Sequence, residues 1–243
     1  MVEFDFKNKK IFVMDGDSTL GKEIITSFIE LQATVISMAQ NNYKHEYTLY
    51  SETLKNKVEL GTLDFNNPLV VEDLAAILQT QTKVVDVFIN NSRKTNHKGI
   101  LELSSNEWNE ELLINLDIPF LLLKAVIPFI KENKEGSIIN LSSISTINGG
   151  NGEVGFASVK SATESMNKAL SRELSASNIR VNGISFAHNG LEKVEKKENS
   201  AIQGLNRTVN CSDVVNTILF LSSSLSTFVN GQVMLVDGGS TYR

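Results

Sequence analysis

The chain has one cysteine, Cys211, among 243 residues, so no internal disulfide can form. Three histidines, His45, His97 and His188, show no metal-ligand spacing with each other or with that cysteine, and no metal site is expected. Basic residues are in the minority: 23 Lys and Arg against 28 Asp and Glu give a net charge of -5 and a pI near 5.3. That balance disfavours nucleic acid or an anionic membrane as the main partner, since neither attracts a net acidic surface. The longest apolar run, Ile118 to Ile130, carries Pro119, Lys124 and Pro128. It falls short of the roughly 20 residues that span a bilayer and reads as a buried helix. No charged start followed by an apolar run and a small-residue cleavage site opens the chain, so a cytoplasmic location is expected. There is no internal repeat, no low-complexity linker and no nucleophile-elbow pattern around Ser143.

What is present is alternation. Short apolar runs at Lys10 to Met14, Thr34 to Met38, Val58 to Leu63, Val84 to Asn90, Ser137 to Leu141, Arg180 to Ser185 and Val233 to Val236 read as strands. Several lack polar alternation, as strands buried on both faces do. Helical patterns fall between them, at Gly21 to Leu31, Val70 to Gln79, Trp108 to Lys131, Gly155 to Ser175 and Asp213 to Ser223. Ser104 to Glu107 supplies cap candidates before Trp108, and Ser212 precedes the helix at Asp213. With 41% hydrophobic residues, the 243 residues suffice for one large core, so a single domain over 1–243 is expected. The fold class is α/β, a Rossmann-type doubly wound parallel sheet of about seven strands with helices on both faces. The charged stretch within Ala187 to Thr208 has weak apolar content and is expected to form a lid.

Three segments carry chemistry: Gly136-Ser137-Ile138-Ile139-Asn140-Leu141-Ser142-Ser143, then Phe156-Ala157-Ser158-Val159-Lys160, then Asn178-Ile179-Arg180-Val181-Asn182. Their order resembles the short-chain dehydrogenase/reductase family, in particular its 3-oxoacyl-ACP reductase-like members. The likeness runs from Lys10 to Gly239. It implies NAD or NADP as cofactor and a small-molecule ketone or alcohol as substrate. It also implies a homodimer or homotetramer formed through the two long helices, which carry apolar residues beyond one stripe.

The family's phosphate turn reads Thr-Gly-x-x-x-Gly-x-Gly. Anchored on Gly21, this chain has Asp15 and Thr19 in place of the first two glycines, with Gly16 displaced by one. The turn residues Asp15, Gly16, Ser18, Thr19, Leu20 and Gly21 are the expected diphosphate contacts, although a side chain at Thr19 should crowd the phosphates. Asp15 and Asp17 add negative charge there, while the Ser18 and Thr19 hydroxyls could donate to phosphate oxygens. By the same resemblance Asp64 and Phe65 hold the adenine, and Asn90, Asn91 and Ser92 lie near the nicotinamide side, followed by Arg93 where the family has glycine. Ser37-Met38-Ala39-Gln40 contains neither an acid for a ribose 2′-hydroxyl nor an arginine for a 2′-phosphate. NAD against NADP stays open, with Lys44 a distant phosphate candidate.

The resemblance assigns the reaction to four positions: Asn115, Ser143, Phe156 and Lys160. The interval 156 - 143 = 13 fits, and Lys160 lies one helical turn after Phe156 on the same side. The family has tyrosine at position 156, and a phenyl ring has no ionisable proton. General acid–base help of typically 10²- to 10⁴-fold is therefore removed, and ordinary catalysis is expected to be impaired. Glu153, three residues earlier, and His188, whose unperturbed imidazole would titrate near neutrality, are candidate replacements. Phe186-Ala187 stands where the family has Pro-Gly. Two readings follow: an oxidoreductase with altered proton supply, or a catalytically silent ligand-binding, regulatory or hetero-oligomer subunit.

Overall fold

The computed structural model describes residues 4–41, 45–187, 205 and 207–241. Lys44, His188 and most of the expected lid lie outside the described residues.

Among the described residues one sheet of eight strands runs in the order β4 (Asn56–Asp64), β3 (Glu46–Thr53), β2 (Thr34–Gln40), β1 (Lys10–Met14), β5 (Val87–Asn90), β6 (Gly136–Ser143), β7 (Ile179–Phe186), β8 (Val233–Val236). β1 (Lys10–Met14) pairs in parallel with β2 (Thr34–Gln40) on one side and with β5 (Val87–Asn90) on the other. Parallel pairing continues outward through β6 (Gly136–Ser143), β7 (Ile179–Phe186) and β8 (Val233–Val236). Strand order therefore reverses between β1 and β5, which is where a doubly wound sheet opens its ligand crevice.

Period-two alternation feeds two cores. Phe12 and Met14 join Ile36, Leu122 and Val126 on one face, while Ile11 and Val13 join Ile24, Phe28 and Ile218 on the other. α1 (Thr19–Glu30) and α7 (Cys211–Ser222) cover the second face; α2 (Val70–Gln81), the helix from Ser105 to Glu132, and α6 (Val154–Leu174) cover the first. The Ser105–Glu132 helix is long and apolar enough to cross a membrane. Ile118, Leu122, Val126 and Ile130 are nevertheless buried at 1% exposure or less, which makes it a core helix. It comprises α3 (Ser105–Leu112), a π-helical turn (Leu113–Asp117) and α4 (Ile118–Glu132), and the short α5 (Ser145–Asn148) follows β6. Of the cap candidates at 104–107, Ser104 is the N-cap and Glu107 completes a capping box, so the helix starts at Ser105 rather than at Trp108. At α7 the cap is instead Asn210, reciprocated by Asp213, so the helix starts before Ser212.

The eighth strand is β3 (Glu46–Thr53), which the sequence reading passes over; β4 (Asn56–Asp64) follows it. Both pairings, β2 with β3 and β3 with β4, are antiparallel. The physical reason is loop length. Between Gln40 and Glu46 lie 46 - 40 - 1 = 5 residues, and between Thr53 and Asn56 lie 56 - 53 - 1 = 2. A parallel return needs a crossover of a dozen or more residues, so a meander is the only connection this stretch can make. β4 is an exposed edge carrying Lys57 and Glu59, charges that discourage pairing with another chain.

Candidate active site and nucleotide cleft

The turn from β1 into α1 keeps the shape of a phosphate turn. Asp15 adopts φ +57°, the left-handed conformation for which the family's glycine is suited. A Cβ at Gly21 would lie 2.2 Å from the Asp15 carbonyl oxygen and 2.8 Å from Gly16 Cα, so only glycine lets α1 start this close to the turn. The Gly16 N–H donates to Met38 O, and the Ser18 hydroxyl caps the helix by accepting from the Gly21 N–H at 3.0 Å. Asn91 braces the turn from β5's end, donating to Asp15 O at 3.1 Å and to Ser18 Oγ at 3.0 Å. Thr19 is exposed at the start of α1, whereas Leu20 turns its side chain into the core.

Charge at this turn is unusual for an anion site. Burial, and then the neighbouring charge of Asp17, push the Asp15 carboxyl up to about 7; Arg93 and Lys160 oppose the shift. Tyr47, at the start of β3 and 2% exposed, feels the same two carboxylates; burial and their charge raise its phenol above the ordinary range. Its ring meets Phe65 edge-on at 5.3 Å. Asp64 is exposed and opposite Glu46, on a strand that β3 separates from β2. At about 4.8 Å per strand, Asp64 and Phe65 stand roughly 10 Å from β2 rather than beside it. The Ser37 hydroxyl, on β2, donates to Glu52 of β3.

The other half of the cleft is tightly buried. Asn90, fully buried at β5's end, donates to Asn140 Oδ1 at 3.0 Å, and Asn140 donates to Asn167 Oδ1 at 2.7 Å, a row of amides linking β5, β6 and α6. Asn115 sits in the π-helical turn, a feature often found at functional sites. Its amide donates to Lys94 O at 2.8 Å and Glu111 O at 2.9 Å, and its Oδ1 accepts from the Lys94 N–H at 3.0 Å. Ser92 is buried with its hydroxyl unpartnered.

Phe156 and Lys160 meet on one face of α6, with the ammonium 5.6 Å from the centre of the phenyl ring. Phe156 is 0% exposed and Lys160 1%. The ammonium donates to Ser92 O at 2.5 Å and Leu141 O at 3.0 Å. Burial, and then the charge of Arg93, lower its pKa to about 7. Arg93 is half-buried and acts electrostatically on both Asp15 and Lys160, so it belongs to the cleft rather than to open solvent.

Ser143 ends β6 at 1% exposure, its hydroxyl 2.8 Å from that of Ser145. Ser145 in turn donates to Glu153, whose carboxylate approaches His97 Nδ1 at 3.3 Å. The sequence named Glu153 for its place three residues before Phe156; nothing local marked Ser145 or His97. Glu111 was also overlooked. It is 2% exposed, with Oε1 accepting from the Asn96 N–H and Oε2 unpartnered against Gly155, where a Cβ would sit 2.0 Å away. Burial raises its pKa.

The turn, the asparagines and Lys160 thus converge on the crevice between β1 and β5, and the glycine-dependent approach of α1 to its turn fits a dinucleotide's diphosphate. A family model described as enoyl-(acyl carrier protein) reductase matches residues 16–241. The 3-oxoacyl-[acyl-carrier-protein] reductase of Chlamydia pneumoniae is 29% identical over 96% of this chain and 97% of its own length. A (2S)-[(R)-hydroxy(phenyl)methyl]succinyl-CoA dehydrogenase subunit of Thauera aromatica is 28% identical, again over 96% of each chain. A short-chain dehydrogenase of Leptospira borgpetersenii, solved with bound NAD+, superposes with a TM-score of 0.82 at 27% identity, covering 99% of this chain and 96% of that one. With its sheet order, its crevice and a match over nearly the whole length, the chain belongs to the short-chain dehydrogenase/reductase family.

Proposed function

We propose that this chain is an NAD(P)-binding oxidoreductase-type protein for a ketone or alcohol whose ordinary tyrosine-dependent turnover is disabled. One observation carries the reading: Phe156 occupies the proton donor's place, fully buried, beside a Lys160 ammonium held by two backbone carbonyls.

The residues that would hold the cofactor are the turn Asp15, Gly16, Ser18, Thr19, Leu20 and Gly21, with Asn90, Asn91 and Ser92 on the nicotinamide side. Asp64 and Phe65 serve the adenine end only across the width of β3. Bound there, a nicotinamide supplies or takes up hydride. Asn115 holds the loop at Lys94 in place, and Ser143 meets the ligand oxygen. The Lys160 ammonium has a third N–H beside the two given to carbonyls, and that is the one it would offer a ribose hydroxyl. No acid or arginine ends β2, so NAD and NADP both remain candidates. Likeness to 3-oxoacyl reductases directs the substrate class towards β-ketoacyl groups. The half-exposed Phe120 on α4 supports association through the long helices into a homodimer or homotetramer, and light scattering that gave a monomer would reject it. A cytoplasmic setting, without nucleic acid or membrane as partner, accords with the acidic surface.

The test is titration with NADH and NADPH, followed by nicotinamide fluorescence and calorimetry, with Phe156→Tyr beside the natural chain. Saturable binding and a gain of about 10²- to 10⁴-fold in β-ketoester reduction by the variant are expected. No binding into the millimolar range would overturn the reading.

That outcome would favour the second reading, a silent subunit or regulatory ligand binder. Two carboxylates in the phosphate turn and an inward Lys160 are what favour it.

A further inference from the structure

Ser143 is the buried end of a line of polar side chains that reaches solvent. The Ser145 N–H donates to Ser143 Oγ at 3.1 Å, and the two hydroxyls lie 2.8 Å apart. The Ser145 hydroxyl donates to Glu153 Oε2, and Glu153 Oε1 lies 3.3 Å from His97 Nδ1. Exposure rises along the line: Ser143 1%, Ser145 5%, the Glu153 side chain 9% and the His97 side chain 58%. Gly152 makes the juxtaposition possible. Its φ is +67°, and a Cβ there would lie 3.3 Å from His97 O, so the loop before α6 packs directly on the His97 backbone.

Hydroxyl arithmetic sets the direction. Each serine has one proton to give. Ser145 commits its proton to Glu153, so between the two serines Ser143 must be the donor. Of the two Ser143 lone pairs one takes the Ser145 N–H, and the other is left for a ligand. The site is therefore set to accept a proton from an alcohol, the reverse of donating one to a carbonyl.

We propose that Ser145, Glu153 and His97 relay the proton of a ligand hydroxyl from Ser143 to water, in place of the absent tyrosine. This rests on the reading that an alcohol or ketone meets Ser143. The ligand O–H bond breaks and its proton bonds to Ser143 Oγ. The Ser143 proton passes to Ser145 Oγ, the Ser145 proton to Glu153, and one proton leaves Glu153 through His97 to solvent. Each serine ends with the one proton it began with. The hydride lost from the alcohol carbon goes to oxidised nicotinamide dinucleotide, and ketone reduction runs the same proton path backwards.

The experiment follows oxidation of ethyl 3-hydroxybutyrate with NAD+ or NADP+. Glu153→Gln and Ser145→Ala each lower kcat by about 100-fold with KM little changed. His97→Ala loses about tenfold and is restored by added imidazole, because an exposed shuttle can be replaced from solution. In a Phe156→Tyr background the same replacements cost less than about fivefold, since the tyrosine bypasses the relay. Equal losses in both backgrounds, or no rescue by imidazole, mean a structural role and overturn the proposal. A ligand-free readout stands beside these: the Ser145 hydroxyl proton, shut off from water, gives a slowly exchanging proton resonance that Glu153→Gln removes. Absence of that resonance in the natural chain also overturns the relay. If cofactor binds and only the Phe156→Tyr chain turns over, the relay falls and the proposed function stands. If neither dinucleotide binds, the proposed function falls and the resonance alone decides the relay.

Discussion

The two halves of the sheet have fared differently. From β1 outward through β5, β6, β7 and β8 every pairing is parallel, and the strand ends deliver Asn90 and Ser143 to a common crevice. From β2 outward the chain folds back on itself through two antiparallel pairings, with Tyr47 packed at the crevice's edge and Asp64 pushed out to the sheet margin. At the edge of a doubly wound sheet, short connections and antiparallel pairing can stand where a helical crossover would otherwise run. The central strands, buried on both faces, leave no such freedom. Asn90 and Ser143 on the first half are buried at the crevice, whereas Asp64 on the second lies exposed with β3 between it and β2.

Substitutions in each half test that contrast. The largest effect belongs to Gly21→Ala, since backbone atoms of Asp15 and Gly16 would have to retreat from the new methyl. A loss of roughly 3 kcal/mol or more in denaturant unfolding is expected, and a value under about 1 would show that the turn is loose. Asn140→Ala tests the intact half. It leaves the Asn90 amide and the Asn167 carbonyl oxygen without their partners, at a cost of about 2 kcal/mol. A neutral outcome would make the amide row dispensable.

Smaller effects come from protons. The Asp15 carboxyl is raised from 3.8 to about 7, so the folded chain holds a proton that the unfolded chain releases. Its contribution to stability is full below pH ~4 and is lost as pH rises to ~7. Lys160 is lowered from 10.5 to about 7, so its contribution has the opposite slope, improving from pH ~7 to ~10. Together they place a stability minimum near neutrality. Asp15→Asn should remove the acid-side slope and gain on the order of 2 kcal/mol at pH 8 relative to pH 4. Unchanged slopes in thermal melts would refute this. The smallest effect is on binding: NADH should weaken as pH rises through 7, and Asp15→Asn should tighten it about fivefold at pH 8 by removing one charge near the diphosphate. Asp17, Arg93 and Lys160 also face this group and would account for any slope that remains.

Much of this molecule was legible in its residues. The bounds of β1 and β8, a polar cap at Ser104 and the meeting of Lys160 with Phe156 on one face of α6 follow from periodicity and local hydrogen-bonding chemistry. Even β3 was within reach, because five residues after Gln40 cannot carry a parallel return. Its Tyr and Thr content is that of a strand.

That position 156 cannot give a proton is a matter of covalent structure, and the alternation of strand and helix rests on two local periods, so both are properties of the residues alone. Where charge and hydroxyls point is a matter of tertiary packing: the packed fold sets it. It turned Lys160 onto two carbonyls, desolvated Asp15, and joined His97 to Ser143 through residues brought from separate loops. Such contacts depend on how helices and loops pack across tens of residues, and on which polar groups that packing removes from water.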